Sequence, residues 1–402
     1  MTRALVRMPR ALSIALVYVT ARAVTALMLV AAASASTAGS RFGAAATVGD
    51  LSLGWDAQWY WYIAVNGYPS TLPTTAQGVG ENAWAFMPLY AWASNAVGSL
   101  FGSWGVGAVI VSLLCGYLAC LVLFRLLAPR TGRIAAFWAV VFFAAGPLGA
   151  LFQVGYAESA FLLLLFLGLD ALVRRRYGLL YAIIPVMGFV RPGVLAFALM
   201  LGLVLALRWW RRRTDPLSSR EIVHFFALGA LAVAVGFAWQ VIAGIVTGDP
   251  GAYLETELAW RRNWSTGETT GFLPFEGWVS AAQFWFAFWG LPPWLGVVVL
   301  VLLVAGFGGV LLRGPGVRRL GPELRLWSAS YALYLLAVFF PQSSTLRLLV
   351  PLSPLWGAVA APRGSARATR MLRVGVLALG LALQWLWIWN VYAMGDTFWR
   401  VP

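Results

Sequence analysis

The chain alternates between long apolar stretches and shorter polar ones. An apolar run of about 17 to 25 residues is long enough to cross a bilayer as an α-helix. Stretches that approach this length can be read at residues 11–33, 104–124, 134–153, 157–173, 177–190, 193–207, 222–246, 294–312, 326–341, 346–361 and 374–394. The pattern therefore predicts an all-α polytopic membrane protein with about 11 transmembrane helices.

The fifth and sixth stretches, residues 177–190 and 193–207, are the shortest of the series. At a rise of about 1.5 Å per residue, neither is long enough to span the membrane upright. Arg191, Pro192 and Gly193 lie at their junction. We therefore expect one broken helix pair that is hinged at these three residues.

Two long segments separate the apolar stretches within what we expect to be a single integral membrane domain, 1–402. They cover residues 34–103 and 247–293. Loops of this length are usually functional, so we expect the first to carry the catalytic groups and both to face outward. Residues 86–101, at the end of the first loop, are expected to form a surface or re-entrant helix.

Aromatic residues are concentrated around residue 56 in the first loop. On a helix, Trp55, Trp59 and Tyr62 would share one face, and Asp56 and Tyr60 would share the neighbouring one. This spacing predicts a helix that lies along the membrane surface, with its aromatic rings at the level of the lipid headgroups.

Composition narrows the class of protein. Hydrophobic residues make up 61% of the chain and charged residues only 11%, whereas soluble domains contain about 25% charged residues. A water-soluble enzyme is therefore excluded.

The charges are unevenly distributed, and all 29 basic residues are arginines. With a cytoplasmic amino terminus, 22 arginines and four acids fall in inner segments, six arginines and ten acids fall in outer ones, and Arg22 lies within the first span. The inner side then carries +18 and the outer side −4, as the positive-inside rule requires. The net charge of +15 thus reflects topology rather than a nucleic-acid partner. We expect a multi-pass protein of the plasma (inner) membrane, with a cytoplasmic amino terminus and an active site that faces outward.

Several other assignments are disfavoured. A cleaved signal peptide would explain the basic start and the small residues near Ala35, but the apolar run is long for one and is interrupted by Arg22. Cys115 and Cys120 share one span, and two thiols alone do not make a metal cage. His224 lies at the predicted cytoplasmic start of a span, away from any outward nucleophile. A chain without lysine cannot form a Walker-type phosphate loop.

Charged side chains within apolar surroundings are functional candidates. Asp56 lies within the aromatic cluster of the first loop, while Arg191 and Arg347 interrupt apolar stretches on the predicted outer side. The alternative for these arginines is snorkelling to the headgroups or pairing with Glu158. Arg22, in the first span, is expected to pair with a carboxylate.

These residues lie in motifs that resemble a known family. The first group combines Trp55-Asp56 with Tyr60, Ile63-Ala64, Gly67-Tyr68 and Ala85-Phe86-Met87-Pro88-Leu89-Tyr90. Further matches follow in Gly155-Tyr156-Ala157-Glu158-Ser159-Ala160-Phe161, Arg191-Pro192-Gly193-Val194 and Thr345-Leu346-Arg347-Leu348-Leu349-Val350-Pro351. In this order they resemble the PIG-V family, the mannosyltransferases that add the second mannose of the GPI anchor, together with their bacterial relatives. Members of that family are GT-C membrane glycosyltransferases.

The resemblance implies transfer of a sugar, mannose in that family, from a polyprenyl-phosphate donor with inversion at the anomeric carbon. The all-arginine, alanine-rich composition is typical of a GC-rich bacterial genome, in which no GPI pathway is expected. We therefore expect a glycolipid or lipoglycan as the acceptor, with the membrane lipids as surroundings.

Roles can be assigned to the outward residues on this basis. Asp56 is the predicted general base, and arginines suit the oxygens of the leaving phosphate. The residues expected to bind substrate are Trp55, Tyr60, Glu81, Tyr156, Glu158, Arg191, Arg261 and Arg347. No cofactor is expected. Asp56, Glu81 and Glu158 offer oxygen ligands for a divalent cation, but the resemblance does not imply a metal.

A transporter or lipid flippase without transferase activity is the alternative. Broken helices and intramembrane charges also occur in transporters, which are commonly built from internal repeats with polar groups at the midplane. No internal repeat is visible in this sequence, and ten of the 14 acids fall on the predicted outer side. These two features favour the enzyme.

Overall fold

The computed structural model describes residues 9–262 and 271–395 of the chain. Within these ranges almost all regular structure is helical. In chain order the helices are α1 Arg10–Ala35, α2 Val48–Ser52, α3 Asp56–Asn66, α4 Pro88–Gly98, α5 Trp104–Thr131, α6 Arg133–Ala144, α7 Glu158–Val173, α8 Tyr177–Gly188, α9 Val194–Trp210, α10 Ser219–Thr247, α11 Ala252–Arg262, α12 Glu276–Phe288, α13 Pro293–Arg313, α14 Pro315–Arg318, α15 Pro322–Val338, α16 Thr345–Leu348, α17 Trp356–Ala360 and α18 Ala366–Ile388.

Shorter elements complete the described part of the chain. Strands β1 (Thr74–Thr75) and β2 (Gly78–Val79) form an antiparallel hairpin in which Thr74 pairs with Val79. Tight 3-10 turns cover Ala83–Ala85, Gly149–Phe152 and Val350–Leu355, and Trp389–Ala393 extends α18 as a π-helix.

The prediction of a mostly helical, multi-pass membrane protein is confirmed. Within the described ranges, five helices are long and apolar enough to cross a bilayer: α1, α5, α10, α13 and the continuous segment Ala366–Ala393. Shorter apolar helices occupy Arg133–Ala144, Tyr177–Gly188, Val194–Trp210 and Val350–Ala360. The number of 11 spans is not confirmed.

Two predicted spans are not continuous helices. The helix expected at 134–153 ends at Ala144, and a 3-10 turn follows at Gly149–Phe152. The span expected at 346–361 is divided between α16, a 3-10 turn and α17. Pro351 and Pro354 explain the second break, because proline lacks the N–H that an α-helix needs at interior positions.

The expected hinge near residue 193 is present. Helix α8 ends at Gly188 and α9 begins at Val194. Gly193 has a φ of 138°, a value that residues with a Cβ rarely adopt. Glycine is thus required where the chain turns between the two short helices.

The first long loop contains more structure than its aromatic spacing predicts. Helix α3 begins at Asp56, so Trp55 lies before the helix. The prediction that Trp55 shares a helix face with Trp59 and Tyr62 is therefore wrong. Trp55 instead precedes the helix in the left-handed region, with a φ of 55°. The hairpin of β1 and β2 was not predicted either, because each strand is only two residues long.

The chain divides into two compact units. Unit 1 comprises Met1–Val65, Pro88–Asp170 and Leu346–Pro402, as far as these ranges are described, and unit 2 comprises Asn66–Met87 and Ala171–Thr345. A core of unit 1 forms where α1, the 145–157 segment and the end of α18 meet, around buried side chains such as Leu29, Leu151 and Tyr392. In unit 2, the indoles of Trp84 and Trp239 pack with Tyr68.

Arg22 lies buried on α1 within the first span. Its guanidinium donates to the carbonyl oxygens of Ala144 and Gly149 and lies 5.2 Å from the ring centroid of Tyr18 and 5.5 Å from that of Phe152. The expectation that Arg22 pairs with a carboxylate is therefore wrong. Its partners are the carbonyl of Ala144, the last residue of α6, and that of Gly149, which begins the following 3-10 turn. The negative end of a helix dipole attracts a cation.

We expect Arg22→Met to lower the thermal unfolding midpoint strongly, because two buried carbonyls would lose a charged donor. Hydrogen bonds to charged groups contribute about 1.5–3 kcal/mol each. The midpoint can be measured by tryptophan fluorescence of the detergent-solubilised protein. Leu27→Met on the same helix, where the side chain is 70% exposed, is the matched control. Equal midpoints for the two variants would contradict this role.

Candidate functional site

Three charged side chains meet in unit 1. Arg347 Nη1 donates to Asp56 Oδ2 at 2.6 Å, and Arg347 Nε lies 3.3 Å from Glu158 Oε1. The side chain of Arg347 is 10% exposed, that of Asp56 is 17% exposed and that of Glu158 is 5% exposed. The alternative that Arg347 pairs with Glu158 is thus observed, and Asp56 joins the same pair. We call these three residues the Asp56–Glu158–Arg347 cluster.

Both acids of this cluster lie in the first turn of a helix, Asp56 in α3 and Glu158 in α7. The amino-terminal end of a helix carries partial positive charge, which stabilises a carboxylate there. The cluster contains two acids and one base, so its formal charge is −1. The single positive charge of Arg347 therefore neutralises only one of the two carboxylates.

One oxygen and one nitrogen of the cluster remain available. Among the described residues, nothing hydrogen-bonds to Asp56 Oδ1, whereas Oδ2 is taken by Arg347. Arg347 Nη2 likewise has no hydrogen-bond partner in that part of the chain. Asp56 Oδ1 can therefore accept a proton, and Arg347 Nη2 on the adjoining side chain can donate to an anion. A reaction that removes a proton from one group while an anionic group leaves needs both functions.

Two tyrosines, Tyr156 and Tyr392, lie beside the cluster. The ring centroid of Tyr156 lies 5.4 Å from the guanidinium carbon of Arg347, and its hydroxyl is 3.4 Å from that of Tyr392. Ser112 Oγ donates to the backbone oxygen of Tyr156 at 3.1 Å, which fixes the segment that leads into Glu158. Tyr156 was expected at the site. Tyr392 was not, because it belongs to a continuous apolar stretch.

Arg41 is a second feature that the sequence did not indicate. Its guanidinium carbon lies 4.3 Å from the ring centroid of Trp55, and its Nη2 donates to Gln58 Oε1 at 2.9 Å. Trp55 is also in edge contact with Phe42. The left-handed backbone at Trp55 stores strain immediately before Asp56, and such strain persists only where the surroundings hold it.

Four other residues that were predicted to bind substrate are not part of the Asp56–Glu158–Arg347 cluster. Tyr60 is 3% exposed, and its ring meets that of Tyr90 edge-on at 4.9 Å, so it packs within unit 1. Glu81 and Arg191 belong to unit 2. The side chain of Arg261 lies outside the described residues. Substrate contact by these four residues stays a prediction.

The arrangement of the potential metal ligands bears on whether the site could hold a cation. Within residues 9–262 and 271–395, no three His, Cys, Asp or Glu side chains lie close enough together to hold a metal ion. The Asp56–Glu158–Arg347 cluster supplies two carboxylates, and the arginine between them competes electrostatically with any cation. Cys115 and Cys120 are both free thiols.

Unit 2 contains a separate group of ionisable residues. Tyr253 and Glu257 lie one helical turn apart on α11, and Tyr253 donates a hydrogen bond to the Glu257 carboxylate. Arg191 and Tyr334 are close enough to interact electrostatically with Glu257. Burial raises the pKa of Glu257 to about 7, against the opposing effects of Tyr253 and Arg191. We call these four residues the Glu257 cluster.

This raised pKa predicts how stability depends on pH. Between about pH 4.5 and 7, the folded protein keeps a proton on Glu257 that the unfolded chain has lost, so stability falls as pH rises through this window. The whole effect amounts to roughly 3 kcal/mol at most. We expect Glu257→Gln to raise the unfolding midpoint at pH 8 and to leave it unchanged near pH 4.5. The exposed Glu255→Gln on the same helix should alter neither value, and a midpoint that is pH-independent in the wild type would contradict the assignment.

No family model matches the chain, and no curated protein matches it. A solved structure that is similar, "Crystal Structure of ArnT from Cupriavidus metallidurans bound to Undecaprenyl phosphate", shares 17% identity with a TM-score of 0.47. The match covers 89% of this chain but only 62% of that one.

Proposed function

We propose that the protein is a membrane glycosyltransferase that transfers a sugar from a polyprenyl-phosphate donor to a glycolipid or lipoglycan acceptor on the outer side of the membrane. The observation that carries the proposal is the Asp56–Glu158–Arg347 cluster, in which Asp56 Oδ1 and Arg347 Nη2 are both free to meet substrate. The resemblance of the surrounding motifs to the PIG-V family supports a GT-C enzyme and, within it, mannose as the sugar.

In the proposed reaction, the acceptor hydroxyl gives its proton to Asp56 Oδ1 as its oxygen attacks the anomeric carbon. The bond between that carbon and the phosphate oxygen breaks, and its electron pair stays on the phosphate. The charge that develops on the phosphate is met by Arg347 Nη2, since guanidinium groups donate well to phosphate oxygens. No nucleotide and no metal takes part in these steps.

Glu158 has a supporting role in this scheme. Its Oε1 lies 3.3 Å from Arg347 Nε, whereas Asp56 accepts from Arg347 Nη1. The two carboxylates hold the guanidinium in place, while Nη2 has no hydrogen-bond partner among the described residues. Because a charged group that is already ordered loses little entropy on binding, this arrangement suits an anion that arrives with the substrate.

The composition of the chain fits a lipid-linked substrate. In the part of the chain that the structure describes, five helices are long and apolar enough to span a bilayer. Many large apolar side chains on them are exposed, for example Leu302 and Leu303 on α13. Such exposed apolar surface suits a protein whose substrate is carried by a polyprenyl chain in the membrane.

The test is transfer from a defined donor. Purified protein in phospholipid nanodiscs is incubated with radiolabelled polyprenyl-phosphate mannose and native membrane lipids, and the products are separated by extraction and chromatography. Label that moves from the donor to a second lipid supports the proposal. Donor that stays intact with every lipid fraction, but crosses the bilayer of proteoliposomes, would support the transporter instead.

A further inference from the structure

Trp55 is held in an unfavourable position immediately before the proposed base. Its backbone has a φ of 55°, in the left-handed region that bulky residues rarely adopt. The indole N–H is buried and has no hydrogen-bond partner among the described residues. Because a left-handed backbone and an unpaired buried donor both cost free energy, contacts between the ring and its surroundings must hold Trp55 in place.

Arg41 and Phe42 supply such contacts. The guanidinium carbon of Arg41 lies 4.3 Å from the centroid of the indole, and the face of an aromatic ring attracts a cation. Phe42 meets the same ring edge-on at a centroid distance of 6.2 Å. A Cβ on Gly54 would overlap the Phe42 ring, so the absence of a side chain there lets Phe42 pack against the backbone that leads into Trp55.

The position of Trp55 affects how α3 begins. Its carbonyl oxygen accepts from the backbone N–H of Gln58 at 3.1 Å, and Asp56 lies between these two residues in the first turn of the helix. A different backbone conformation at Trp55 would therefore turn the Asp56 carboxylate relative to its partner Arg347.

Arg41 is fixed at two further points. Its Nη2 donates to Gln58 Oε1 at 2.9 Å, and its backbone N–H donates to the carbonyl oxygen of Gly395 at 3.1 Å. Its side chain thus contacts the residue before Asp56 and a residue of the helical turn that follows.

A series of contacts also connects this segment to the arginine of the site. Phe42 stacks on Tyr392 at a centroid distance of 6.3 Å, and the Tyr392 hydroxyl lies 3.4 Å from that of Tyr156. The Tyr156 ring lies 5.4 Å from the guanidinium carbon of Arg347. The segment is thus linked, through two tyrosines, to the residue that binds Asp56.

We propose that Arg41 is a positioning residue for the base. By covering the indole of Trp55 and binding Gln58, it holds the left-handed residue and the first turn of α3 in the conformation that places Asp56 Oδ2 on Arg347 and leaves Oδ1 unbound. Arg41 acts through Trp55 rather than on the reacting atoms. The inference rests on the proposed function, in which Asp56 is the base.

The kinetic test separates positioning from substrate binding. A small misplacement of a catalytic group can cost about a hundredfold in rate, so we expect Arg41→Gln to lower kcat by about tenfold to hundredfold. The KM values for donor and acceptor should stay within about twofold. Arg41→Lys keeps a cation beside the ring and should recover part of the loss. Arg220→Gln removes an exposed arginine on α10 and should match the wild type.

Trp55→Gly tests the same role from the other partner. Glycine adopts the left-handed conformation without strain, which offsets part of the packing that is lost with the ring, and kcat should fall as in Arg41→Gln. Phe275→Gly is the matched control, because Phe275 is also an exposed aromatic residue in the left-handed region, with a φ of 72°. A rise in KM with unchanged kcat in Trp55→Gly would assign Trp55 to substrate binding and contradict the inference.

The position of Asp56 can be followed without any assay of transfer. The full chain is synthesised in a cell-free system with [4-¹³C]aspartate, directly into phospholipid nanodiscs, and Asp56→Asn identifies the carboxyl NMR signal of Asp56. We expect this signal to shift in Arg41→Gln and in Trp55→Gly, because the contact with Arg347 changes. It should stay at the wild-type position in Arg220→Gln and Phe275→Gly.

Two results would overturn the inference: a kcat of Arg41→Gln within about twofold of the wild type, or an Asp56 signal that does not move in that variant. Unfolding midpoints show which variants are folded, and Trp55→Gly repeats both comparisons should Arg41→Gln not fold. A wild-type chain that transfers nothing from any lipid-linked donor would remove the proposed function alone, because the Asp56 signal still shows whether Arg41 sets the position of that carboxylate.

Discussion

Asp56→Asn should abolish sugar transfer while the protein still folds. The asparagine oxygen can continue to accept from Arg347 Nη1, so the contact at 2.6 Å is kept. The atom that replaces Oδ1 becomes an amide nitrogen, which donates and cannot take a proton. General bases contribute about 10²- to 10⁴-fold to rates, so we expect at least a hundredfold loss of kcat in the polyprenyl-phosphate-mannose assay.

Asp50→Asn provides the control for this variant. Asp50 lies six residues earlier in the same loop, is exposed, and its carboxylate accepts from the backbone N–H and the hydroxyl of Thr47. Transfer by this variant should match the wild type. Activity of Asp56→Asn within tenfold of the wild type would remove Asp56 from the role of base.

Arg347 substitutions should weaken binding of the donor more than binding of the acceptor. Loss of a charge-assisted hydrogen bond costs about 1.5–3 kcal/mol, which corresponds to roughly tenfold to hundredfold. We expect an increase of this size in the apparent KM for the polyprenyl-phosphate sugar in Arg347→Lys, with a much smaller change for the acceptor. The lysine keeps the charge between the two acids but lacks the planar fork that leaves Nη2 free.

Arg347→Ala is the more severe variant, because it leaves Asp56 and Glu158 facing each other without a cation. The double variant Glu158→Gln with Arg347→Gln removes one charge of each sign, so the net charge of the cluster does not change. It should fold better than Arg347→Ala and still bind the donor weakly. Equal losses for donor and acceptor in Arg347→Lys would indicate a structural role instead.

Local features of the sequence predicted much of the site. Asp56 is a candidate because it is an acid among aromatic residues, and Arg347 is a candidate because it is a charge in an apolar stretch. Pairing of Arg347 with Glu158 was one of the predicted alternatives, but its contact with Asp56 was not predicted, because nothing in either segment indicates that these two side chains meet. Such pairing depends on how the helices pack in three dimensions, which the periodicity of one segment does not determine.

The errors have specific physical causes. Trp55 was expected on the helix that begins at Asp56, since aromatic spacing does not reveal a left-handed residue at a helix start. The stretch at 346–361 was treated as one span on hydropathy, although Pro351 and Pro354 divide it. Arg41 and Tyr392 were missed because the first lies in an ordinary polar loop and the second in an apolar helix.

The ion pair between Asp56 and Arg347 joins residues that are 291 positions apart. During synthesis, α3 and α7 are made long before Arg347 leaves the ribosome, so Asp56 and Glu158 exist for that time without their cation. Removing one partner of a buried ion pair is strongly destabilising, and a nascent chain that stops short of residue 347 would be in that state. The pair can thus form only after most of the chain has been synthesised, and a chain truncated before residue 347 would have both acids but no assembled site.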